Sequence, residues 1–199
     1  MTTAKPYKLY LAGPDVFRAD SDEWGRRLED IAAEHGFHAM YPADTKIIGQ
    51  IDKMRDDGVA DSAIAHFIFI EDVKMITECH GVLANLDSFR GPEMDPGTAF
   101  EVGFAAALGV PVWGYTSDRR PYDEKVAEWN GAPLKMVGNT LFDRDDMSVD
   151  TLGEPVNLMI SRALVEQKVY ASIQDALIAA AQFFIKDMRR RTAELERAQ

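Results

Sequence analysis

One cysteine, Cys79, stands in 199 residues, which excludes an intrachain disulfide. Histidine is also scarce. His35, His38, His66 and His80 show no ligand spacing with one another or with Cys79, so no metal is indicated. The chain lacks a GxxxxGK(S/T) phosphate loop and has no GxGxxG after its first strand, which removes the usual cradles for ATP and dinucleotides. No cofactor is expected. Basic residues are the minority, 22 against 33 acids, and the formal net charge of -11 opposes the counterion release that drives nucleic-acid binding. No basic stripe with interleaved aromatics overrules that charge, so nucleic acid is not an expected partner. The N-terminal MTTAKPYK has no long apolar core of the secretory type, which makes the cytoplasm the expected location. Ala99 to Tyr115 is the most membrane-like stretch. It is short for a span and is interrupted by Glu101, Gly103, Gly109 and Pro111, so no membrane is expected. Internal repeats and low-complexity segments are absent too.

A hydrophobic content of 46% can bury a sizeable core, and the length fits one domain over residues 1–199. Lys8 to Leu11, ended by Ala12-Gly13-Pro14, reads as a first strand and a sharp turn, after which Asp22 is placed to cap a helix carrying Trp24, Leu28 and Ile31. His38 to Tyr41 is a second strand. The polar segment from Pro42 to Asp61 reads as a long connection, of the kind that often forms a lid or binding loop. Ala63 to Cys79 is predicted helical, with Ser62 as N-cap and Ile68, Asp72 and Ile76 in one row, which either points the Asp72 carboxylate at the interior or a cleft or leaves it a partly exposed helix-end acid beside Glu71.

GVLAN from Gly81 and VPVWGY from Val110 read as buried parallel strands around a helix from Thr98 to Leu108, with Phe100, Phe104 and Ala107 or Leu108 on its apolar face. The right-handed crossover this implies would place the Asp87 to Gly97 loop at the carboxyl ends of the strands, where open parallel sheets bind ligands. Thr116 to Asp150 reads as solvated loop, with SDRR from Ser117 as a possible anion contact. Asn157 to Leu164 is a short helix, KVYAS from Lys168 a last strand, and 172–197 a C-terminal amphipathic helix. That last helix opens with the capping box Ser172-x-x-Asp175 and aligns Ile173, Leu177, Ala180, Phe184 and Met188.

Glu101 is the only side chain charged at neutral pH between Pro96 and Ser117. A lone carboxylate in so apolar a run either satisfies a backbone end or does chemistry. Thr98-x-x-Glu101 fits a capping box, which is the structural alternative. The helix dipole would hold the carboxylate ionised, whereas apolar neighbours would raise its pKa.

YLAGPDVF from Tyr10, Asp72 on its helix, DPGTAFEVGFAAALG from Asp95 and NLM from Asn157 occur in an order that resembles the nucleoside 2-deoxyribosyltransferases, most closely their trypanosomatid and bacterial members. The likeness runs from Lys8 to about Met159. It implies a single-domain, flavodoxin-like α/β sandwich with a five-stranded parallel sheet, acting on 2′-deoxynucleosides and free nucleobases. Glu101 would be the nucleophile at C1′ and Asp72 the acid and base toward the departing and arriving nucleobase. By the same resemblance Tyr10 would hydrogen-bond Glu101, Asp95 would orient the sugar hydroxyls, and Gly13 and Phe17 would contact substrate. Asn157 and Met159 would reach a neighbouring subunit's pocket, which makes a homo-oligomer with shared sites the expectation. His80 stands where many relatives carry an acid. The alternative within the fold is a deoxynucleoside 5′-monophosphate N-hydrolase. Asp95 speaks against it, because those relatives usually carry a serine there and a carboxylate repels a phosphate dianion. A receiver-like or flavin-binding module fits worse, since the first loop offers neither an acidic pair nor a Ser/Thr-rich phosphate nest.

Overall fold

Strands whose residues are apolar on both faces can only be covered by helices on both faces, and the computed structural model, which describes residues 5–197, has that arrangement. The chain runs β1 (Tyr7–Ala12), a 3₁₀ turn (Pro14–Phe17), α1 (Ser21–Glu34), β2 (Phe37–Met40), α2 (Thr45–Asp56), α3 (Asp61–Glu78), β3 (Gly81–Asn85), α4 (Pro96–Ala107) and β4 (Val112–Tyr115). It continues through α5 (Tyr122–Asn130), β5 (Lys135–Val137), β6 (Thr140–Phe142), β7 (Ser148–Val149), α6 (Leu158–Ala163), β8 (Val169–Tyr170) and α7 (Ile173–Arg197). The main sheet has the order β2-β1-β3-β4-β8 and is parallel throughout, the flavodoxin-like topology expected. Residues 1–4 of the MTTAKPYK stretch and residues 198–199 lie outside the description.

Alternation along each strand divides the core into two layers. Leu9, Leu11, Leu83 and Trp113 pack with Leu28 and Ala32 of α1 and with Leu177, Ala180 and Phe184 of α7. Tyr10, Ala12, Val82, Ala84 and Val112 point the other way, toward Ile47 of α2, Met75 and Ile76 of α3, and Val102 and Ala105 of α4. A residue at the carboxyl end of β1 is thereby aimed at α4 from beneath the sheet edge. Gly13 lets the chain turn there, because a Cβ on it would lie 2.8 Å from the Asn85 Cβ of the neighbouring strand.

Several expectations are corrected. The segment Pro42 to Asp61 is not an open connection but contains α2, whose N-cap Asp44 accepts the Ile47 N–H at 2.8 Å. The signal lay in Ile47, Ile48 and Ile51, spaced for one helical face. The cap of α1 is Asp20 and not Asp22, while Asp22 bonds the Thr45 hydroxyl and pairs with Arg26. α3 begins at Asp61, one residue before the expected cap at Ser62. Thr116 to Asp150 holds α5 and a three-stranded antiparallel sheet, β5-β6-β7, whose strands of two or three residues are too short to display an alternation. In α4 the buried residues are Thr98, Val102 and Ala105, whereas Phe100 and Leu108 are each 49% exposed. That helix is apolar nearly all round, so hydrophobic spacing could not identify its inner face.

Gly25 in α1 gives a test of the packing between α1 and β2. Gly to Ala inside a helix ordinarily stabilises by about 1 kcal/mol, but here the new Cβ would lie 2.4 Å from the buried Tyr41 ring. Overpacking of this kind costs about 1–3 kcal/mol. Gly25→Ala is therefore expected to lower the urea midpoint, and a raised midpoint would show that the Tyr41 ring is free to move.

Candidate active site

β1 aimed at α4, with α3 beside it, brings three acids and one phenol together. Tyr10 is fully buried, and its hydroxyl donates to Glu101 Oε1 at 2.5 Å. The bond spans 91 positions in sequence, from the sheet to the second turn of α4. Burial and the adjoining carboxylates hold the Tyr10 phenol well above its usual pKa, so it remains a donor throughout the working range.

The capping alternative for Glu101 fails because Asp95 already occupies that role. Asp95 is the N-cap of α4, and its Oδ2 accepts both the Thr98 N–H at 2.9 Å and the Thr98 hydroxyl at 3.2 Å. Pro96 at the first helical position has no N–H to satisfy. Glu101 is left free to face the site. Its carboxyl is pushed up to about 8, chiefly by burial, with Asp72 and Asp95 adding to the shift and the Tyr10 hydroxyl opposing it. Asp72, on the inner row of α3, is pushed up to about 7 by burial and then by Glu71. Two carboxyl groups are thus poised to hold or release protons near neutral pH.

A cavity of about 320 Å³ opens over these groups. Asp72, Asp95 and Glu101 line it, together with Gly13, Val16 and Phe17 from the turn at the carboxyl end of β1 and Gly97 from the first turn of α4. Its remaining wall is apolar: Pro42 and Ala43, Ile47, Ile48 and Ile51 of α2, and Ile68 of α3. Among its described lining residues there is no lysine and no arginine. The three isoleucines of α2 were not anticipated as site residues, because their segment read as loop. Phe17 is not a core aromatic. It is 57% exposed and stacks on Phe89, with ring centroids 5.1 Å apart.

Asn157 and Met159 are not brought to this cavity. Asn157 caps α6 by accepting the Met159 N–H at 2.9 Å, and the Met159 side chain is 72% exposed. The SDRR segment offers no free anion contact through Arg120, which pairs at 2.7 Å with both Asp118 and Glu128. His80 lies at the opposite end of the sheet, where its Nδ1 accepts the Lys8 N–H at 3.0 Å and its ring meets Tyr7 edge-on.

Comparison with known proteins points the same way as the geometry. A family model described as nucleoside 2-deoxyribosyltransferase matches residues 9–159. The chain is 32% identical to an uncharacterised protein of Schizosaccharomyces pombe, over 94% of this chain and 92% of that one. Among solved structures it is similar to a 2-desoxiribosyltransferase from Leishmania mexicana, at 29% identity and a TM-score of 0.63, covering 89% of this chain and 98% of the other. A conserved protein from Enterococcus faecalis V583 shares the fold at 19% identity and a TM-score of 0.50, covering 86% of this chain and 95% of the other.

The raised carboxyl of Glu101 carries a stability consequence with a definite sign. Its folded value of about 8 lies above the ordinary 4.5, so the unfolded chain releases that proton first and stability declines as pH rises through this window. Glu101→Gln, which keeps an acceptor for Tyr10, is expected to melt with the native chain near pH 4 and several degrees higher at pH 8. Equal melting temperatures at pH 8 would show that the carboxyl is better solvated than its surroundings indicate.

Proposed function

The chain belongs to the nucleoside 2-deoxyribosyltransferase family, and from that premise we propose that it transfers 2-deoxyribose between nucleobases through a covalent ester on Glu101. The observation that carries this reading is the 2.5 Å Tyr10–Glu101 hydrogen bond in the wall of a cavity that Asp72 and Asp95 also line. Glu101 attacks C1′ on the face opposite the base. As the new C–O bond forms, the C1′–N bond breaks and its electron pair stays on the base nitrogen, which takes the proton of Asp72. An incoming base then attacks C1′, Asp72 removes its proton, and the ester bond returns its electrons to Glu101. Two inversions give retention, as in retaining glycosidases.

The productive state has Glu101 ionised and Asp72 protonated. With Glu101 at about 8 and Asp72 at about 7, a proton shared by the pair rests mainly on Glu101, so the productive arrangement is the minor one, and the phenol hydrogen bond raises its population by favouring charge on Glu101. Asp95 Oδ2 is taken up by Thr98, and among the described residues nothing bonds its second oxygen, which is available to a sugar hydroxyl. The apolar wall of isoleucines suits a planar base. The described lining has three acidic side chains and no lysine or arginine, so a phosphate inside the cavity would meet no cation there, which favours nucleosides over monophosphates.

A second copy of the chain would complete the cavity. Ile68, Phe69 and Ile70 of α3, Phe100 of α4 and Met159 of α6 are exposed apolar side chains, and Phe69 and Phe100 meet with centroids 5.9 Å apart. An exposed patch of this character suits an interface between copies. It would allow Asn157 and Met159, which stand away from their own chain's cavity, to reach a neighbour's. Acting on nucleosides that carry no anchoring phosphate, such an enzyme would serve purine salvage in the cytoplasm.

Incubation of the native chain with a 2′-deoxynucleoside or its 2′-fluoro analogue should add one sugar mass to the intact protein, and Glu101→Ala should show none. With deoxyinosine and free adenine the product should be deoxyadenosine. Base and free sugar alone, or activity restricted to 5′-monophosphates, would make it the hydrolase. The dependence of kcat/KM on pH should be bell-shaped with its optimum between about 7 and 8, losing the ionised Glu101 on the acid side and the protonated Asp72 on the basic side. Tyr10→Phe removes a bond that favours the anion and lifts Glu101 further above Asp72, so the basic limb should move to higher pH and the rate fall by about tenfold or more as the productive arrangement becomes scarcer. An unmoved basic limb would show that the phenol does not tune Glu101.

A further inference from the structure

The loop between β3 and α4 carries a side chain that the proposed chemistry leaves unused. Arg90 stands at its tip with φ 58°, a left-handed conformation that arginine rarely adopts. Two hydrogen bonds close the loop around it, from the Phe89 N–H to the Glu93 carbonyl at 2.8 Å and from the Ser88 hydroxyl to the Pro92 carbonyl at 3.1 Å. The guanidinium carbon lies 4.5 Å from the centre of the Phe89 ring and 5.4 Å from that of Phe17. Those two rings stack with 20° between their planes, and Phe17 is part of the cavity wall. Arg90 forms no salt bridge among the described residues.

An aromatic ledge therefore runs out of the cavity and ends in a guanidinium. A guanidinium laid on aromatic faces uses its π surface for that contact and keeps its five N–H donors in the plane around its edge, with no acceptor to offer. A nucleobase held on the same ledge presents its own edge to those donors. A 6-oxopurine offers two adjacent acceptors, O6 and N7, which match a guanidinium in bidentate fashion. Adenine offers N7 beside an amino donor, which a guanidinium cannot satisfy. The aliphatic walls of the cavity cannot make this distinction, and its three carboxyls are committed by the proposed chemistry to C1′, to the sugar hydroxyls and to the proton of the base.

We propose that Arg90 is a specificity-determining residue that reads the outer edge of the nucleobase and favours 6-oxopurines over adenine. This rests on the reading of the cavity as a nucleoside site, and it names the substrate class that the site prefers. The loop closure holds the guanidinium against the ledge before substrate arrives, so little ordering cost accompanies the recognition.

Free bases have no sugar to transfer, so their binding separates recognition from turnover. Calorimetric titration of the native chain with hypoxanthine and with adenine should show hypoxanthine binding tighter by about tenfold or more. In Arg90→Ala the hypoxanthine affinity should fall by that factor while adenine changes by less than about twofold, and Arg90→Lys should restore only part, because an ammonium cannot pair in bidentate fashion. The ratio of kcat/KM for deoxyinosine over deoxyadenosine should follow the same order. An equal loss for both bases would overturn the proposal and make Arg90 a support for the Phe17–Phe89 pair. No change for either base, no binding of either base to the native chain, or a loss confined to 5′-monophosphates would also overturn it. A chain that keeps base selectivity yet neither exchanges sugars nor forms the Glu101 adduct would instead sink the transfer reading alone.

Discussion

One hydrogen bond, from the Tyr10 phenol to the Glu101 carboxyl, ties the chemistry to the sheet. An ionised carboxylate in an apolar wall is costly unless a donor faces it, and here the donor comes from a fully buried tyrosine on the second strand of the sheet order. The register of β1 against β2 and β3 is therefore a constraint on the site as well as on the core. Shifting β1 by one residue would turn Tyr10 to the α1 and α7 side and leave Glu101 with burial and no partner.

Around that bond the surroundings divide the labour among like groups. Asp95 is consumed on one oxygen by the start of α4, which fixes the helix and so fixes where Glu101 points. Asp72 meets only burial and another acid, Glu71, and is raised accordingly. Glu101 meets burial opposed by a phenol. Three carboxyl groups of nearly equal intrinsic acidity are thereby given different environments, the general route by which a site can obtain both a base and an acid at one pH. The isoleucines of α2 contribute by excluding water, which strengthens each of these effects.

The exposed aromatic and aliphatic side chains follow from the same economy. Phe69, Phe100 and Met159 form no part of the chain's own core, while Phe17 and Phe89 build an open ledge at the cavity wall. Apolar groups left in water are unfavourable for an isolated chain and are retained where something else covers them. A neighbouring copy over α3 and α4, and a flat ligand over the ledge, are the two coverings proposed.

Much of this was legible in one dimension. The apolar runs at Lys8, Gly81 and Val110, the glycine-bounded helix between the last two, and the solitary Glu101 required no partner to be noticed, because strand burial, helix spacing and an isolated charge are local patterns. The family order of motifs added Tyr10, Asp72 and Asp95, and the two acids share a cavity wall with Glu101 while Tyr10 bonds Glu101 from behind it. Local pattern failed where it was degenerate or brief. α4 is apolar all round and could not be phased, α2 was masked by the polar residues between its isoleucines, and β5 to β7 are too short to alternate. Whether Glu101 caps a helix or faces a ligand was undecidable from Thr98-x-x-Glu101, since both readings use the same spacing. Only the folded chain could choose, because the deciding facts are that Asp95 occupies the cap and that a tyrosine 91 positions away donates to Glu101. The composition and periodicity of the chain determined which residues were to be buried and in what kind of element. Which buried residues face one another, and hence which carboxyls share a cavity and which of them meets a phenol, was set by strand order and register, through contacts no stretch of sequence contains.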